Sequence, residues 1–476
     1  MSPRLLVLLA PTLGCASSPD DAPLEGPAAL EATLTPSETI GTVATVMLET
    51  PSPGTVVVEA TEPTGATLRF AARTEDGVSH RALLVGLPAG VELTWRAVAT
   101  LEDGEVLASA PAVFETEVQP LWLPALTLAV GGTDTSDTSD TSDTSDTSDT
   151  SDAPDTSDTR GLFLTTILGE NAAVAIVDHQ GRYVWWWHTE VGAMACQARM
   201  AADGESVLIY IVDGAMQVDI AAILRVALTG ETLSETRVEL GHHDILEAPD
   251  GRVAAVAYDP RVYRDQDIAG DRVVLVDLET GDTEPLWSTW DDLLPGNTQD
   301  FPNSAVGLEW THANGLALHP ETGEWLVSLH NVDTLVKLTP DGALAWTLGG
   351  DESDFTLTSG DTFALQHGPS FTEDGILLFD NRTPRTGDLY SRAVEYRVDE
   401  AARTYSSAWA YDGGQQLYAA FMGSAERLPD GGTLIGWGSA GRIDKLDAAG
   451  TLTWQLEVAI GSLFGFTHPV DTLGAR

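Results

Sequence analysis

Apolar and polar residues alternate in short runs along most of this chain, with the two-residue period of half-buried β-strands. Runs such as residues 55–59 recur between about Leu30 and Val118, and further strand-like runs continue from about Gly161 to the end. No run reaches the ~20 consecutive apolar residues that a membrane-spanning helix needs. The pattern therefore predicts an all-β protein.

A repeated unit organises the chain beyond Arg160. Each copy of about forty to fifty residues has an Asp-Gly-type turn, two strands and a closing aromatic residue, which is the spacing of propeller blades. The turns stand at residues 203–204, 250–251, 322–323, 374–375 and 430–431, and the closing residues are Trp187, Trp287, Trp346, Trp409 and Trp454.

Counting a partial copy from Ile176 to Trp187, the units number six, so residues 161–476 are predicted to form a six-bladed β-propeller. The C-terminal end is expected to complete the partial copy, because ring closure removes exposed sheet edges. A two-sheet sandwich is the alternative, and it explains the repeat period less well.

The first residues have the pattern of an export signal, with Arg4 before a short apolar run that leads to Cys15. Residues 13–15 (Leu-Gly-Cys) resemble the end of a bacterial lipoprotein signal, in which the cysteine thiol is lipidated. The resemblance implies a signal at residues 1–14, a mature chain that begins at Cys15, and a lipid-anchored protein of the cell envelope that faces the periplasm or the exterior. An ordinary cleaved signal is the alternative. Only one other cysteine is present, which leaves no internal disulfide once Cys15 is acylated.

Residues 131–160 carry a repeat of Asp, Ser and Thr, with Asp at every third position from Asp134 to Asp158. Such a segment cannot form a core, and its charges repel one another. It is predicted to be a disordered linker with a reach of at most about 90 Å that holds the propeller off the membrane. A calcium site is the alternative, but the repeat lacks the Gly turns that wrap an ion.

Residues 83–98 resemble the fibronectin type III pattern, in which a Leu-Pro-Gly-like corner precedes a strand with an aromatic residue, here Trp95. The resemblance implies a small β-sandwich at residues 30–130, after a spacer at residues 15–29. No catalytic cluster is evident in it.

The formal net charge of −48 disfavours nucleic acid as a partner, because both would carry the same sign. The composition does not address the oligomeric state, and a homodimer stays open.

Histidines recur at one phase of the repeat. The residue seven positions before the turn Asp is Cys196, His243, His367 and Gly423 in four units, and the unit with a longer turn offers His312 and Asn314. Equal phase in a cyclic repeat means an equivalent position in space, so these histidines are expected at one mouth of the propeller.

Several segments in this region resemble the bacterial arylsulfotransferases, in the same order along the chain. They are residues 177–186, 241–245, 312–315, 366–367, 379–381, 391–396 and 428–438. The resemblance implies a six-bladed propeller that moves a sulfuryl group from a phenolic sulfate ester to a phenol, without a nucleotide donor or other cofactor. It places a transiently sulfated histidine at His367 and supporting residues at His312, Asn314, His242 and His243.

One departure concerns the strand after the His-x-Asn motif, where the family usually has Arg and this chain has His330. Either His330 serves when protonated, or Arg382, Arg385 or Arg392 supplies the charge, or the enzyme is weak or inactive. Residues 464–468 also depart from the family's usual Tyr-Arg ending.

Two other functions stay open. A propeller that binds a ligand or partner without turnover would fit the lost Arg and the lipid anchor. A zinc site built from His243, His312 and His367 is the other, but the local spacing is no metal signature, so no metal is predicted.

Overall fold

The computed structural model describes residues 30–131, 161–169, 172–188, 193–213, 221–295, 301–303, 306–382, 390–414, 417–470 and residue 473. Strands dominate these residues, with one short α-helix, α1 (Thr289–Asp292), and 3-10 turns at His330–Val332 and Gly438–Ala440. The all-β prediction is confirmed.

Nine N-terminal strands form a two-sheet sandwich. They are β1 (Ala32–Pro36), β2 (Ala44–Glu49), β3 (Gly54–Thr61), β4 (Thr67–Ala71), β5 (Arg73–Thr74), β6 (Ser79–Leu84), β7 (Glu92–Leu101), β8 (Val106–Ala108) and β9 (Ala112–Glu115). One sheet has the order β1-β2-β6-β5 and the other β4-β3-β7-β8, with β9 also on β7. Alternate residues such as Val46, Val58 and Trp95 fill the core between them. Membership of the fibronectin type III family stays a prediction.

The remaining strands follow one another as successive antiparallel sheets. They are β10 (Leu126–Val130), β11 (Phe163–Leu168), β12 (Ala173–Val177), β13 (Tyr183–His188), β14 (Ala193–Met200), β15 (Ser206–Asp213), β16 (Ala221–Ala227), β17 (Thr232–Arg237), β18 (Gly241–Glu247), β19 (Val253–Tyr263), β20 (Gln266–Val276), β21 (Thr283–Ser288), β22 (Phe301–Asn303), β23 (Gly307–Glu309), β24 (Ala313–Leu318), β25 (Trp325–Leu329), β26 (Thr334–Leu338), β27 (Leu344–Gly349), β28 (Thr356–Ser359), β29 (His367–Thr372), β30 (Gly375–Asp380), β31 (Arg392–Asp399), β32 (Thr404–Tyr411), β33 (Ser424–Arg427), β34 (Thr433–Gly436), β35 (Arg442–Leu446), β36 (Leu452–Val458) and β37 (Leu463–Pro469).

Four antiparallel strands form the body of each sheet, and β10, β22, β23 and β28 add to three of these sheets. Within the described residues the sheets are β37-β11-β12-β13, β14 to β17, β18 to β21, β24 to β27, β29 to β32 and β33 to β36. The C-terminal strand β37 pairs with β11, with Phe163 opposite Pro469, and so completes the first sheet as the partial repeat predicted. The propeller-type fold is confirmed.

In most sheets the turn between the first and second strand has the predicted glycine in a left-handed conformation. Gly204, Gly251, Gly323 and Gly431 all have positive φ, where a side chain would be strained. Gly375 differs, since it is the first residue of β30 and lies opposite Arg397.

The sandwich packs directly on the propeller. Ile40, Val43 and Val85 share a core cluster with Trp185 of β13, and Arg182 binds Glu62 of the sandwich at 2.9 Å. Strand β10, inside the range predicted for the sandwich, instead pairs with β36 and adds an outer strand to the last sheet.

Gly131 and Gly161, which flank residues 132–160 of the predicted linker, lie close together on the propeller. Gly131 lies against the Trp454 side chain, and Gly161 lies against His179. Trp454 Nε1 donates to the His179 carbonyl oxygen at 2.6 Å. Residues 132–160 lie outside the described residues, and their role as a linker that holds the propeller off the membrane stays a prediction.

Candidate active site

Five histidines form a continuous row of rings at one end of the propeller sheets. The distances between ring centroids are 5.0 Å for His242–His243, 4.5 Å for His243–His312, 5.2 Å for His312–His330 and 5.3 Å for His330–His367. They come from the start of β18, the residue before β24, the turn after β25 and the start of β29. The structure therefore brings the predicted histidines of three consecutive sheets together.

Local backbone geometry turns two of these side chains into the row. His243 and His312 have φ of 60° and 52°, in the left-handed region that residues with a side chain seldom adopt. Such a conformation costs about 1–3 kcal/mol and is typical of functional sites. The strain is held by the flanking strands, whose pairing shifts register at these points.

The protonation of His367 follows from its partners. Its Nδ1 lies 2.8 Å from Asn381 Oδ1. The Asn381 amide nitrogen donates to the Ala419 and Met422 carbonyl oxygens, so its oxygen faces His367. His367 therefore carries hydrogen on Nδ1 and a lone pair on Nε2, which accepts from the Met422 N–H at 3.3 Å.

Burial lowers the pKa of His367 to about 4, against the opposing hydrogen bond to Asn381 and with the charge of His312 acting in the same direction as burial. The ring is 3% exposed. At neutral pH His367 is therefore a neutral imidazole with its nucleophilic nitrogen defined.

The pKa of His312 is shifted in the opposite direction. Burial works to lower its pKa, but the hydrogen bond and charge of Glu309, with Asp271 adding to them, raise the pKa above the ordinary value. Its Nδ1 lies 2.5 Å from Glu309 Oε2, and Tyr258 Oη donates to the other oxygen of that carboxylate at 2.9 Å. Within the row, His312 is thus a residue whose surroundings favour the protonated ring.

His242 and His243 form a linked pair. His242 Nε2 lies 2.9 Å from Asp271 Oδ1, its Nδ1 lies 2.7 Å from His243 Nδ1, and its ring stacks on Tyr258. Burial and the neighbouring histidines lower the pKa of His243 well below its usual range. Of the two, His243 is the one whose ring lies next to His312, at 4.5 Å.

His330 occupies the position where the family usually has Arg. Burial, together with the charges of His312 and His367, lowers its pKa well below the ordinary value. Its Nδ1 bonds Asn331 Oδ1 at 2.8 Å. At neutral pH His330 is uncharged in the free protein and supplies no guanidinium-like charge.

Asn314 contacts the residue that precedes His367. It is fully buried, and its amide nitrogen donates to the Gln366 carbonyl oxygen at 2.8 Å. Its Oδ1 has no hydrogen-bond partner among the described residues. Asn314 thus ties β24 to the segment that carries the candidate nucleophile; contact with a substrate stays a prediction.

Arg392 and Arg382 both converge on Asp380. Their Nε atoms donate to Asp380 Oδ2 at 2.9 Å and 3.1 Å, and Arg392 Nη2 donates to the Asp361 carbonyl oxygen at 3.4 Å. This buried network braces the end of β30, from which Asn381 follows. Substrate binding by Arg392 stays a prediction.

Several residues that shape the site were not found from the sequence. Asp271, Glu309 and Tyr258 set the protonation of the histidines, and none of them belongs to the repeat. The i,i+3 spacing to His312 was a usable signal for Glu309, whereas Asp271 shares β20 with Asp267 and Arg272 and did not stand out in the sequence.

A cavity of about 300 Å³ lies further along the same inner strands, beyond Gly368 and Phe466. His468 lines it, bonded to Glu426 and, at 2.9 Å, to Gln197 Oε1. Both ring nitrogens of His468 are thus hydrogen-bonded to neighbouring side chains.

The remaining predictions concern two single residues, a metal site and a membrane-spanning helix. Cys15 and Arg385 lie outside the described residues. Over the described ranges, no group of three or more His, Cys, Asp or Glu side chains has a metal-binding arrangement. No helix in the same part of the chain is long and apolar enough to cross a membrane.

Comparison with known proteins supports one family. The sequence model of the arylsulfotransferase (ASST) family matches residues 147–456. No curated protein matches the chain. Similar solved structures include a protein of unknown function from Bacteroides caccae, with 15% identity over 62% of this chain and 94% of that one, at a TM-score of 0.41. Another is a putative 6-phosphogluconolactonase from Bacteroides uniformis, with 10% identity over 87% and 99%, at a TM-score of 0.37. At these TM-scores the likenesses carry no argument about function.

Proposed function

Since the chain belongs to the arylsulfotransferase family, we propose that it moves a sulfuryl group from a phenolic sulfate ester to a phenol through a sulfated His367. The observation that carries this proposal is the neutral His367, with its lone pair on Nε2, at the end of a row of histidines in which the pKa of His312 is raised.

In the donor step, His367 Nε2 attacks the sulfur of the ester. An N–S bond forms, the S–O bond to the phenol oxygen breaks, and the phenolate leaves with the bonding electrons. Protonated His312 gives its Nε2 proton to this phenolate, so the phenol is released neutral. The hydrogen on His367 Nδ1 stays bonded to Asn381 throughout and stabilises the cationic ring of the sulfated intermediate.

In the acceptor step, a phenol loses its proton to a base in the site and its oxygen attacks the sulfur. The new S–O bond forms as the N–S bond breaks, and the electron pair returns to His367 Nε2. Splitting the transfer into two displacements lets one histidine serve both substrates.

Binding without turnover is the second candidate, because one observation favours it. His330 is neutral where the family usually has Arg, so the positive charge for a sulfate would have to come from another group, such as His312 with its raised pKa. A bound sulfate would itself favour protonation of His330, because an opposite charge at close range stabilises the imidazolium.

The test is single-turnover kinetics with a chromogenic phenyl sulfate, followed by peptide mass spectrometry. We expect a burst of released phenol and a sulfuryl group attached to His367. His367→Asn keeps a hydrogen-bonding amide but cannot accept the sulfuryl group, so both signals should be lost. His188→Asn, an exposed histidine on β13, is the matched control and should behave as the wild type. Tight binding of the ester with no burst would favour the second candidate, and sulfation of another residue would remove His367 from the mechanism.

A further inference from the structure

The buried carboxylate of Asp271 lies behind the histidine row, and the hydrogen bonds around it fix the position of two hydrogens. We infer that Asp271 is a positioning residue that, through His242, presents a lone pair on His243 Nε2 as the base for the acceptor phenol. This inference rests on the proposed sulfuryl transfer and assigns the base that its second step needs.

The orientation of the Asp271 carboxylate is determined by three donors. Oδ2 accepts from the Ala313 N–H at 2.8 Å and from the Thr311 hydroxyl at 2.5 Å. Oδ1 is left facing His242 Nε2 at 2.9 Å. Because a carboxylate only accepts hydrogen bonds, His242 carries its hydrogen on Nε2. Asp271 is 1% exposed, so water does not compete for these bonds.

The hydrogen on His242 Nε2 determines the state of His243. We assign the His242 ring this single hydrogen, so that its lone pair is on Nδ1, which lies 2.7 Å from His243 Nδ1. His243 must donate across this contact, so its own lone pair is on Nε2. The His242 ring cannot turn away easily, because it stacks on Tyr258 at 3.8 Å between centroids and is buried.

His243 Nε2 is suited to accept a proton from the substrate. It has no hydrogen-bond partner in the described part of the chain, and its ring lies between those of His242 and His312. The low pKa of His243 keeps this nitrogen unprotonated at neutral pH.

The protons balance over one turnover. His312 loses a proton to the leaving phenolate in the donor step, and His243 gains one from the acceptor phenol. Transfer of that proton from His243 to the neighbouring His312, at 4.5 Å between ring centroids, restores both. Asp271 takes no proton at any stage.

Asp271→Asn tests the inference because it changes which ring nitrogens of His242 and His243 carry hydrogen, without changing the size of the side chain at position 271. The amide oxygen stays with the Ala313 N–H, so the amide NH₂ faces His242 Nε2. His242 must then donate from Nδ1 to His243 Nδ1, and His243 carries its hydrogen on Nε2. We expect the burst of phenol to remain, while steady-state transfer to the acceptor falls by about 10²–10⁴-fold, as for loss of a general base or of its correct tautomer.

Asp267→Asn is the matched control. It makes the same change in charge on the same strand, at an exposed position, and should leave both the burst and the steady state unchanged. A general loss of folding in Asp271→Asn would reduce both phases together, and unchanged steady-state transfer would show that Asp271 does not act on the acceptor step. Either result would overturn the inference.

A second readout does not depend on activity. ¹⁵N-histidine NMR of the wild-type protein reports which ring nitrogen of His243 carries hydrogen, and His243→Gln assigns the signal. We expect hydrogen on Nδ1 in the wild type and on Nε2 in Asp271→Asn. Hydrogen on Nε2 of wild-type His243 would refute the inference even if sulfuryl transfer is observed. Absence of any phenol burst in the wild type, with the expected tautomers present, would instead count against the proposed function alone.

Discussion

The pKa values of His367 and His312 are shifted in opposite directions although the two rings lie in the same row. Each has a partner at Nδ1, but the partner of His367 is the neutral amide of Asn381 and that of His312 is the carboxylate of Glu309. Burial lowers the pKa of His367, whereas Glu309 outweighs burial at His312 and raises the pKa. The two partners, Asn381 and Glu309, thus suit His367 to act as a nucleophile and His312 to act as an acid.

These two groups predict a bell-shaped pH profile for the donor step. Activity needs neutral His367 and so is lost as pH falls through about 4. It also needs protonated His312, whose raised pKa means that the acid is present at pH 6.5 and is lost as pH rises through the folded value. Glu309→Gln removes the charge that raises the pKa, so the alkaline limb should move to lower pH and the donor step at neutral pH should slow by roughly 10²-fold. Burst rates measured from about one pH unit below the His367 pKa up to pH 9 check both limbs.

The leaving group offers the control for this prediction. A donor whose phenol is strongly acidic leaves without protonation, so Glu309→Gln should slow it much less than an unsubstituted phenyl sulfate. Equal slowing for both donors, with an unshifted alkaline limb, would mean that Glu309 supports the fold and not the acid.

Among the secondary-structure elements, the inner strands position the site through their first residues. Pairing shifts register near the start of β14, β18, β24 and β29. A bulge adds a residue to one strand and redirects its side chains, here into the mouth of the propeller. The sixth sheet uses a glycine instead, since Gly423 precedes β33 with φ of 122°.

Gly423 should be the position of the sixth sheet least tolerant of a side chain. A Cβ there would lie 2.3 Å from the Phe379 ring, which is fully buried behind His367. Gly423→Ala should lower the free energy of unfolding by about 2–4 kcal/mol, the sum of overpacking and backbone strain. Gly251→Ala is the control, with φ of 85° and no atom within 4 Å, and should cost only about 1 kcal/mol. Denaturant unfolding of both variants measures the difference; equal losses would show that contact with Phe379 does not matter.

Sequence reasoning reached what is local or repeated. The turn glycines follow from the need for positive φ, and the shared phase of His243 and His367 follows from the repeat. It did not reach Asp271, because the hydrogen bond between Asp271 and Ala313 joins β20 to the start of β24 and depends on the fold. It also missed that β10 pairs with β36, since an alternating strand does not specify its partner.

The sandwich and the propeller form one packed body at the level of the whole molecule. Thr42 of the sandwich donates to the Val184 carbonyl oxygen at 2.7 Å, and Tyr183 Oη donates to the Pro124 carbonyl oxygen at 2.9 Å. The sandwich thereby covers β13, the outer edge of the first sheet, while β10 covers the edge of the last. The two sheets that close the ring are therefore both protected by the N-terminal part of the chain.

This arrangement predicts that the Asp-rich repeat can be removed without loss of the fold or the activity. Gly131 and Gly161 both adjoin the hydrogen-bonded pair of Trp454 and His179, and eight residues span up to about 26 Å. Replacing residues 132–160 by eight Gly and Ser residues should raise the free energy of unfolding by about 1 kcal/mol, because a shorter loop costs less entropy to close. Replacement by 29 Gly and Ser residues separates length from charge and should leave stability near the wild-type value. Thermal unfolding, limited proteolysis and the phenol burst check the outcome. Release of the sandwich by protease in the short variant, or a loss of stability there alone, would show that the two ends of the repeat do not meet as described.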